Sequence, residues 1–297
     1  MREGAPVRPA SSGPEDADVT TRTEAAEAGS GGQPVNRDAP VYLVADAHLG
    51  IEADSLESAK VSDLLALIGH LEGRSSVLYL VGDIFDFWFE YPWSKPTEHG
   101  DVTSALLKLT RSGTEVHFLG GNHDYWAGRH LAELTGAAVH RTPVTTTHFG
   151  KRVFIAHGDG LPEGDRRYKA LKAVLRNPIA IAGFMLIPAR IGAALGRWAS
   201  NLSEISEERI DSAVPAMARF LDHKLTQGFD VVAVAHIHKQ MMWASGGGTA
   251  VVVGDWMKHR SVVELSERGV RTLAWSDGAL VEEHPDRPES RASEPTR

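Results

Sequence analysis

Histidine and carboxylate side chains recur in this chain directly after short apolar runs. Asp46 and His48 follow VYLVA, and Asp83 follows VLYLVG. Asn122 and His123 follow EVHFLGG, His157 follows RVFIA, and His236 and His238 follow DVVAVA. All are oxygen or imidazole donors; the chain has no cysteine, so thiolate chemistry and disulfides are excluded. Such a donor set suits Mn²⁺, Fe²⁺, Zn²⁺ or Mg²⁺, and an octahedral preference favours Mn²⁺ over a structural zinc. Asp46, His48, Asp83, Asn122, His157, His236 and His238 are too many ligands for one ion that must also hold water. They match two ions sharing a bridging carboxylate. A single histidine after a strand is usually a surface or satisfied core residue. The ordered series D-x-H, G-D-x-x-D, G-N-H-D, H-G-D and H-x-H is not a chance arrangement.

The elements that must carry these residues follow from the pattern. The apolar runs at 41–45, 77–82, 115–121, 152–156 and 230–235 are short, rich in Val, Leu and Ile, and mostly not alternating, as in strands buried on both faces. SLESAKVSDLLALIGHLEG, VTSALLKLTRSG and RIDSAVPAMARFLDHKLTQG carry helical spacing, the last two ending at Gly. TAVVVG, SVVELS and VRTLAW read as further strands. The sum is an α/β layered fold, in which functional groups collect beyond the C-terminal strand ends.

Composition sets the outer limits. With 297 residues, 42% hydrophobic and 24% charged, the chain is an ordinary globular protein with enough length for a substantial core. Its net charge of −8 gives no basic field for nucleic acid. Residues 1–38 are rich in Gly, Ser, Pro, Glu and Thr and lack the apolar stretch of a secretory signal; a disordered leader is expected there, and a disordered tail over 284–297. The lack of cysteine fits a reducing compartment, and a cytoplasmic location is expected.

The motifs DAHLG, GDIFD, GNHD, AHGDG and AHIH, spanning Asp46 to His238, resemble those of the calcineurin-like metallophosphoesterase superfamily. The resemblance implies a double β-sheet sandwich flanked by helices over 39–283, with two metals between the sheet ends. It implies that Asp46, His48 and His238 hold one metal, that Asn122, His157 and His236 hold the other, and that Asp83 bridges them. It makes His123 the catalytic histidine that is not a ligand, facing the leaving group. The metal pair then polarises a phosphoryl oxygen and activates water. Asp86 and Asp124 are expected to orient the ligand loops, and Asp255-Trp256 to close the site. In one departure, Ala235 stands where the last motif usually has Gly.

Between His157 and His236 lie 78 residues, far more than a strand-to-strand connection needs. A helical cap is expected at about 160–228. Residues 165–200 hold Arg166, Arg167, Lys169, Lys172, Arg176, Arg190 and Arg197 against one acid, Asp165, and NPIAIAGFMLIPA (177–189) has no charge. That stretch is too short to span a bilayer, for which about 18–20 residues are needed. An apolar lid edged with arginines suits a substrate with acyl chains and phosphates, or an anionic membrane surface; equally, the helix could simply pack on the domain with its arginines reaching water.

HGDGLPEGDRRYKALKAVLRNP, LIPAR, RWASN and FDFWFEY resemble the UDP-2,3-diacylglucosamine pyrophosphatases of lipid A synthesis. This implies a peripheral enzyme at the cytoplasmic face of the inner membrane that uses Mn²⁺ and cleaves a UDP-linked acylated sugar. Its products are UMP and 2,3-diacylglucosamine 1-phosphate. The same resemblance implies substrate contacts from Asn122, Asp165, Tyr168, Arg197 and Ser200. A well-known branch of that group has Arg at the position of His123, whereas this chain keeps the general superfamily's His. The alternatives are a metallophosphoesterase for soluble phosphodiesters or nucleotides and a non-catalytic scaffold. A protein Ser/Thr phosphatase is disfavoured, because Phe87 stands where that family has Arg.

Overall fold

The computed structural model describes residues 35–160, 176–188, 190–192, 194–195, 207–285 and 287–288. Twelve strands form two sheets. In chain order they are β1 Val41–Val44, β2 Val77–Val81, β3 Glu115–Leu119, β4 Ala138–His140, β5 Val144–His148, β6 Lys151–Ala156, β7 Val231–Val234, β8 Met241–Ser245, β9 Gly248–Val252, β10 Ser261–Ser266, β11 Gly269–Ser276 and β12 Ala279–Glu282. One sheet runs β12-β11-β10-β1-β2-β3-β4, the other β5-β6-β7-β9-β8. The strands that end at the candidate residues run parallel to one another within each sheet: β1, β2 and β3 in the first, β6 and β7 in the second.

Burial on both faces explains the unbroken apolar runs. On β1, Val41 and Leu43 point between the sheets, where they join Tyr79, Val81, Ile155, Ala233, Val251 and Val263. Tyr42 and Val44 point outward and pack with Leu64, Leu67 and Ile68 of helix α1 (Asp54–Leu71) and Leu106 and Leu109 of α2 (Gly100–Arg111). A further short helix, α3, spans Arg129–Thr135. The outer face of the second sheet is covered by Met217, Leu221 and Leu225 of the helix Glu207–Thr226, which lies within the sequence span expected for the cap. Helix layers therefore enclose two sheets, which is the α/β sandwich expected.

Within the sequence span expected for a cap, the helix α4 (Pro178–Phe184) is capped by Asn177, whose side chain accepts from the Ile179 amide at 2.8 Å. Phe184 lies against Phe89 with ring centroids 4.8 Å apart, and stacks with Tyr91 and Trp126 at 6.2 and 6.5 Å. Gly192 makes this docking possible: a Cβ there would overlap the Tyr91 hydroxyl and stand 3.2 Å from the Phe184 ring.

Candidate metal centre

The loops leaving β1, β2, β3, β6 and β7 meet at one end of the sandwich. Their backbones are stitched together: the Asp46 amide donates to the Gly82 carbonyl at 3.1 Å, the His48 amide to the Asp83 carbonyl at 2.9 Å, and the Ala235 amide to the His157 carbonyl at 2.8 Å. Asp46, His48, Asp83, His236 and His238 all adopt left-handed backbone, with φ of 50, 42, 52, 75 and 50°. Asp and His tolerate this region better than most residues, but each such position still costs on the order of 1–3 kcal/mol, and such strain concentrates at functional sites. The turn at the last motif places its positive φ on His236, not on Ala235, so the Ala in the usual Gly position is accommodated.

Three groups of donors result, one of which joins His48 to Asp86 and His123. Asp46, His48 and His238 bring ligand atoms together on one side, and Asp83, His157 and His236 on the other. Asp83 lies between them, its Oδ2 being 3.0 Å from His157 Nε2 and 3.9 Å from His48 Nε2. Asn122 Oδ1 lies 3.3 Å from His157 Nε2, which brings the amide to the second group. His123 stands at the rim with Nδ1 3.0 Å from the Asp86 carbonyl, and its ring meets that of His48 edge-on at 4.5 Å. All seven residues expected as ligands thus converge, with His123 beside them.

The outer carboxylates hold the loops. Asp124 is fully buried and accepts from the amides of Gly121 at 2.8 Å, Asp83 at 3.2 Å, Ile84 at 2.8 Å and Phe85 at 3.3 Å. Asp86 Oδ1 lies 3.4 Å from His123 Nδ1 and 3.7 Å from His48 Nδ1. Asp255 accepts from the Lys258 amide at 2.6 Å, and Trp256 ties the end of β1 through its own amide, which donates to the Ala45 carbonyl at 3.0 Å.

The electrostatics are those of buried acids among imidazoles. Burial pushes Asp46 well above the usual carboxylate range. Burial also opposes a charge on Asp83, but His157, His123 and His48 outweigh it and hold that acid well below its ordinary range. His157, against burial, is raised to about 10 by Asp83 and Asp46. His123, likewise against burial, is raised to about 9 by Asp83 and Asp86. Burial and the neighbouring His157 push His236 down to about 3, and burial and His48 push His238 down to about 4, so both are neutral imidazoles at pH 7, the form that binds cations.

These residues fit divalent cations. Among the described residues, Asp46 Oδ1 and both ring nitrogens of His48, two residues of the first donor group, are buried polar atoms without a hydrogen bond. Buried polar atoms are normally paired, so a cluster of orphans marks a place for an ion. His157 Nδ1 sits 2.9 Å from the Val81 carbonyl, which can only accept; that fixes the Nδ1–H tautomer and directs Nε2 to the centre.

Arg176 is a participant that the sequence showed only as part of a basic run. Its guanidinium donates to Asp159 at 2.8 Å and to the Gly121 carbonyl at 3.3 Å, and lies 3.8 Å from the centroid of the Tyr125 ring. It ties the segment leading into α4 to two ligand loops. Asp165, Tyr168, Arg197 and Ser200 lie outside the described residues.

A sandwich carrying paired His/Asp clusters at its strand ends defines a hydrolase that works through divalent metal. The calcineurin-like phosphoesterase family matches residues 39–240, and the chain belongs to that family. It is a metal-dependent phosphoester hydrolase. The chain is similar to a UDP-2,3-diacylglucosamine hydrolase of Porphyromonas gingivalis, at 33% identity over 141 residues, 47% of this chain and 54% of that protein, or about half the relative's length. It is also similar to a protein of the same name from Pseudomonas fluorescens, at 26% identity over 242 residues, 79% of this chain and 95% of that one. Among solved structures, zinc-bound Vps29 of Entamoeba histolytica aligns over 82% of this chain and 97% of its own, with 13% identity and a TM-score of 0.40.

Proposed function

We propose that the chain hydrolyses the pyrophosphate bond of UDP-2,3-diacylglucosamine, giving UMP and 2,3-diacylglucosamine 1-phosphate. The observation that carries the chemistry is the pair of donor groups around Asp83. In this reading Asp46, His48 and His238 hold one divalent ion, and Asn122, His157 and His236 hold the other. Asp83 would serve both, and Mn²⁺ is the ion the donor set suits best. Bound there, the pair supplies Lewis acidity to the phosphoryl oxygen and lowers the pKa of water. The protein's own contribution is orientation. Asp124 gathers four backbone amides so that the loops of Asp83 and Asn122 keep their separation. Asp86 fixes the His123 ring through Nδ1, so that its far edge meets the phosphoryl group and stabilises the departing oxygen.

The lipid substrate rests on three supports. Relatives that align over most of their length carry the name UDP-2,3-diacylglucosamine hydrolase. The cap lies on an aromatic shelf of Phe89, Tyr91 and Trp126 next to the His123 loop. Its outer side leaves Ile179 and Leu186 83% and 84% exposed, a surface suited to acyl chains or to the cytoplasmic face of the inner membrane. Asp165, Tyr168, Arg197 and Ser200 would complete the substrate contacts from the cap. Among the described residues no helix is long and apolar enough to cross a membrane, so the membrane contact proposed is peripheral. A second reading, hydrolysis of soluble phosphodiesters, is favoured by His123, which matches the general superfamily.

The test is to incubate the purified, Mn²⁺-loaded protein with UDP-2,3-diacylglucosamine in detergent, beside UDP-N-acetylglucosamine and bis-p-nitrophenyl phosphate. Release of UMP from the acylated substrate but not from UDP-N-acetylglucosamine, abolished by EDTA, supports the proposal, with bis-p-nitrophenyl phosphate reporting the metal chemistry apart from the acyl chains. Turnover restricted to the soluble esters selects the second reading.

A further inference from the structure

Lys60 is a lysine with no solvent exposure, set among the apolar residues that α1 turns toward the first sheet. Burying an ammonium costs several kcal/mol unless it is paired and hydrogen-bonded, and Leu64, Leu67 and Ile68 on the same helix show that the layer accepts aliphatic side chains. Its Nζ contacts explain the exception. It lies 3.0 Å from Glu57 Oε2 and donates to the His48 carbonyl at 2.9 Å. Glu57 in turn accepts from the Gly50 amide at 2.8 Å and the Glu52 amide at 3.3 Å. One ion pair therefore grips the 48–52 loop at a carbonyl and two amides. From the other side, the His48 and Leu49 amides donate to the Asp83 and Ile84 carbonyls, both at 2.9 Å.

His48 needs such a grip. A metal-ligating imidazole is normally oriented by a hydrogen bond from its second nitrogen. His157 has this in the Val81 carbonyl. His48 has no hydrogen bond on either nitrogen, and its nearest carboxylates, Asp86 and Asp83, stand at 3.7 and 3.9 Å. Its backbone also sits at a φ of 42°, which must be held. Beyond its edge contacts with the His123 and His238 rings, orientation of this ring comes through its main chain.

We infer that the ion pair of buried Lys60 with part-exposed Glu57 is a positioning clamp that presets His48 for its cation through the His48 carbonyl and the Gly50 and Glu52 amides. This rests on the metal assignment of the proposed function. The variant to make is Lys60→Met combined with Glu57→Gln, which removes both charges and leaves no unpaired buried ion. Chelator-stripped wild type and variant are titrated with Mn²⁺ calorimetrically, and the metal-free melting temperatures are compared. The clamp predicts that one of two Mn²⁺ affinities falls about 10–100-fold, the range typical of lost outer-shell support. The other affinity stays within about twofold, and the metal-free melting temperatures of variant and wild type agree. A merely structural pair would lower the melting temperature and spare both affinities; that result overturns the clamp while leaving the metal centre standing. Wild type that binds no Mn²⁺ overturns the metal assignment and the clamp together. Should the double variant not fold, Glu57→Gln alone decides: a selective weakening of one site supports the clamp, and two unchanged affinities overturn it.

Discussion

Gly121 and Asp83 meet so closely that the glycine hydrogen faces the carboxylate; a Cβ on Gly121 would stand 2.7 Å from Asp83 Cγ. No side chain fits there without moving the acid that lies between the two donor groups. Gly121→Ala should therefore lower turnover of bis-p-nitrophenyl phosphate by at least about tenfold, since a displacement near 1 Å in such a site costs up to about a hundredfold. Circular dichroism would establish that the fold persists, and native turnover by the variant would contradict the close approach.

Asp124 serves the same loops from below. Asp124→Ala leaves four backbone amides without their acceptor, in a place with no exposure. Each stranded group costs about 1–3 kcal/mol, less where the cavity admits water. Chemical denaturation should show a loss of several kcal/mol by this reckoning, whereas a variant as stable as wild type would mean the loops do not depend on this carboxylate.

Docking of α4 on the aromatic shelf predicts a split between substrates. A side chain at Gly192 overlaps the Tyr91 hydroxyl and crowds Phe184. If the aromatic shelf serves the acyl chains, Gly192→Leu raises KM for UDP-2,3-diacylglucosamine about tenfold or more, as loss of uniform binding does. Cleavage of bis-p-nitrophenyl phosphate, which needs no acyl pocket, changes little. Equal losses on both substrates would remove the cap from acyl recognition.

Acid sensitivity follows from histidines on β3, β4 and β5. Tyr79 hydrogen-bonds His148 Nε2 at 2.9 Å and stacks on His117, whose Nδ1 lies 3.0 Å from His140 Nε2. Burial, with His117 adding, pushes both His140 and His148 from 6.5 down to about 4. The unfolded chain therefore binds more protons than the folded one between those values, so these rings contribute stability above pH 6.5 that is lost as pH falls toward about 4. Melting temperatures measured from pH 7.5 down to 4.5 should fall. The fall should be shallower in a His140→Gln, His148→Gln variant; an unchanged slope would assign acid sensitivity elsewhere.

The chain's central strands were legible because both their faces are buried. VLYLV and VVAV announce themselves by composition, and polar residues at their ends mark the site. The edges were not: VTTTH in β5 alternates Thr between solvent and interior, AVH in β4 is three residues long, and the helix RHLAELT has only seven. The metal-centre residues could be read from their order along the chain. Their supporting contacts could not, since Arg176 reaches Asp159 and Gly121, and Lys60 reaches His48, across loops that only the folded sheets bring together. The left-handed backbone at Asp46 and Asp83 was equally hidden, because neither residue is a glycine.

Metal stoichiometry tests the account at its centre. Protein stripped with chelator, reloaded with Mn²⁺ and freed of excess should hold two ions per chain by elemental analysis, and Asp83→Ala should hold fewer than one while EDTA abolishes phosphodiester cleavage by wild type. Two ions retained in Asp83→Ala, or cleavage that survives complete removal of metal, would contradict it.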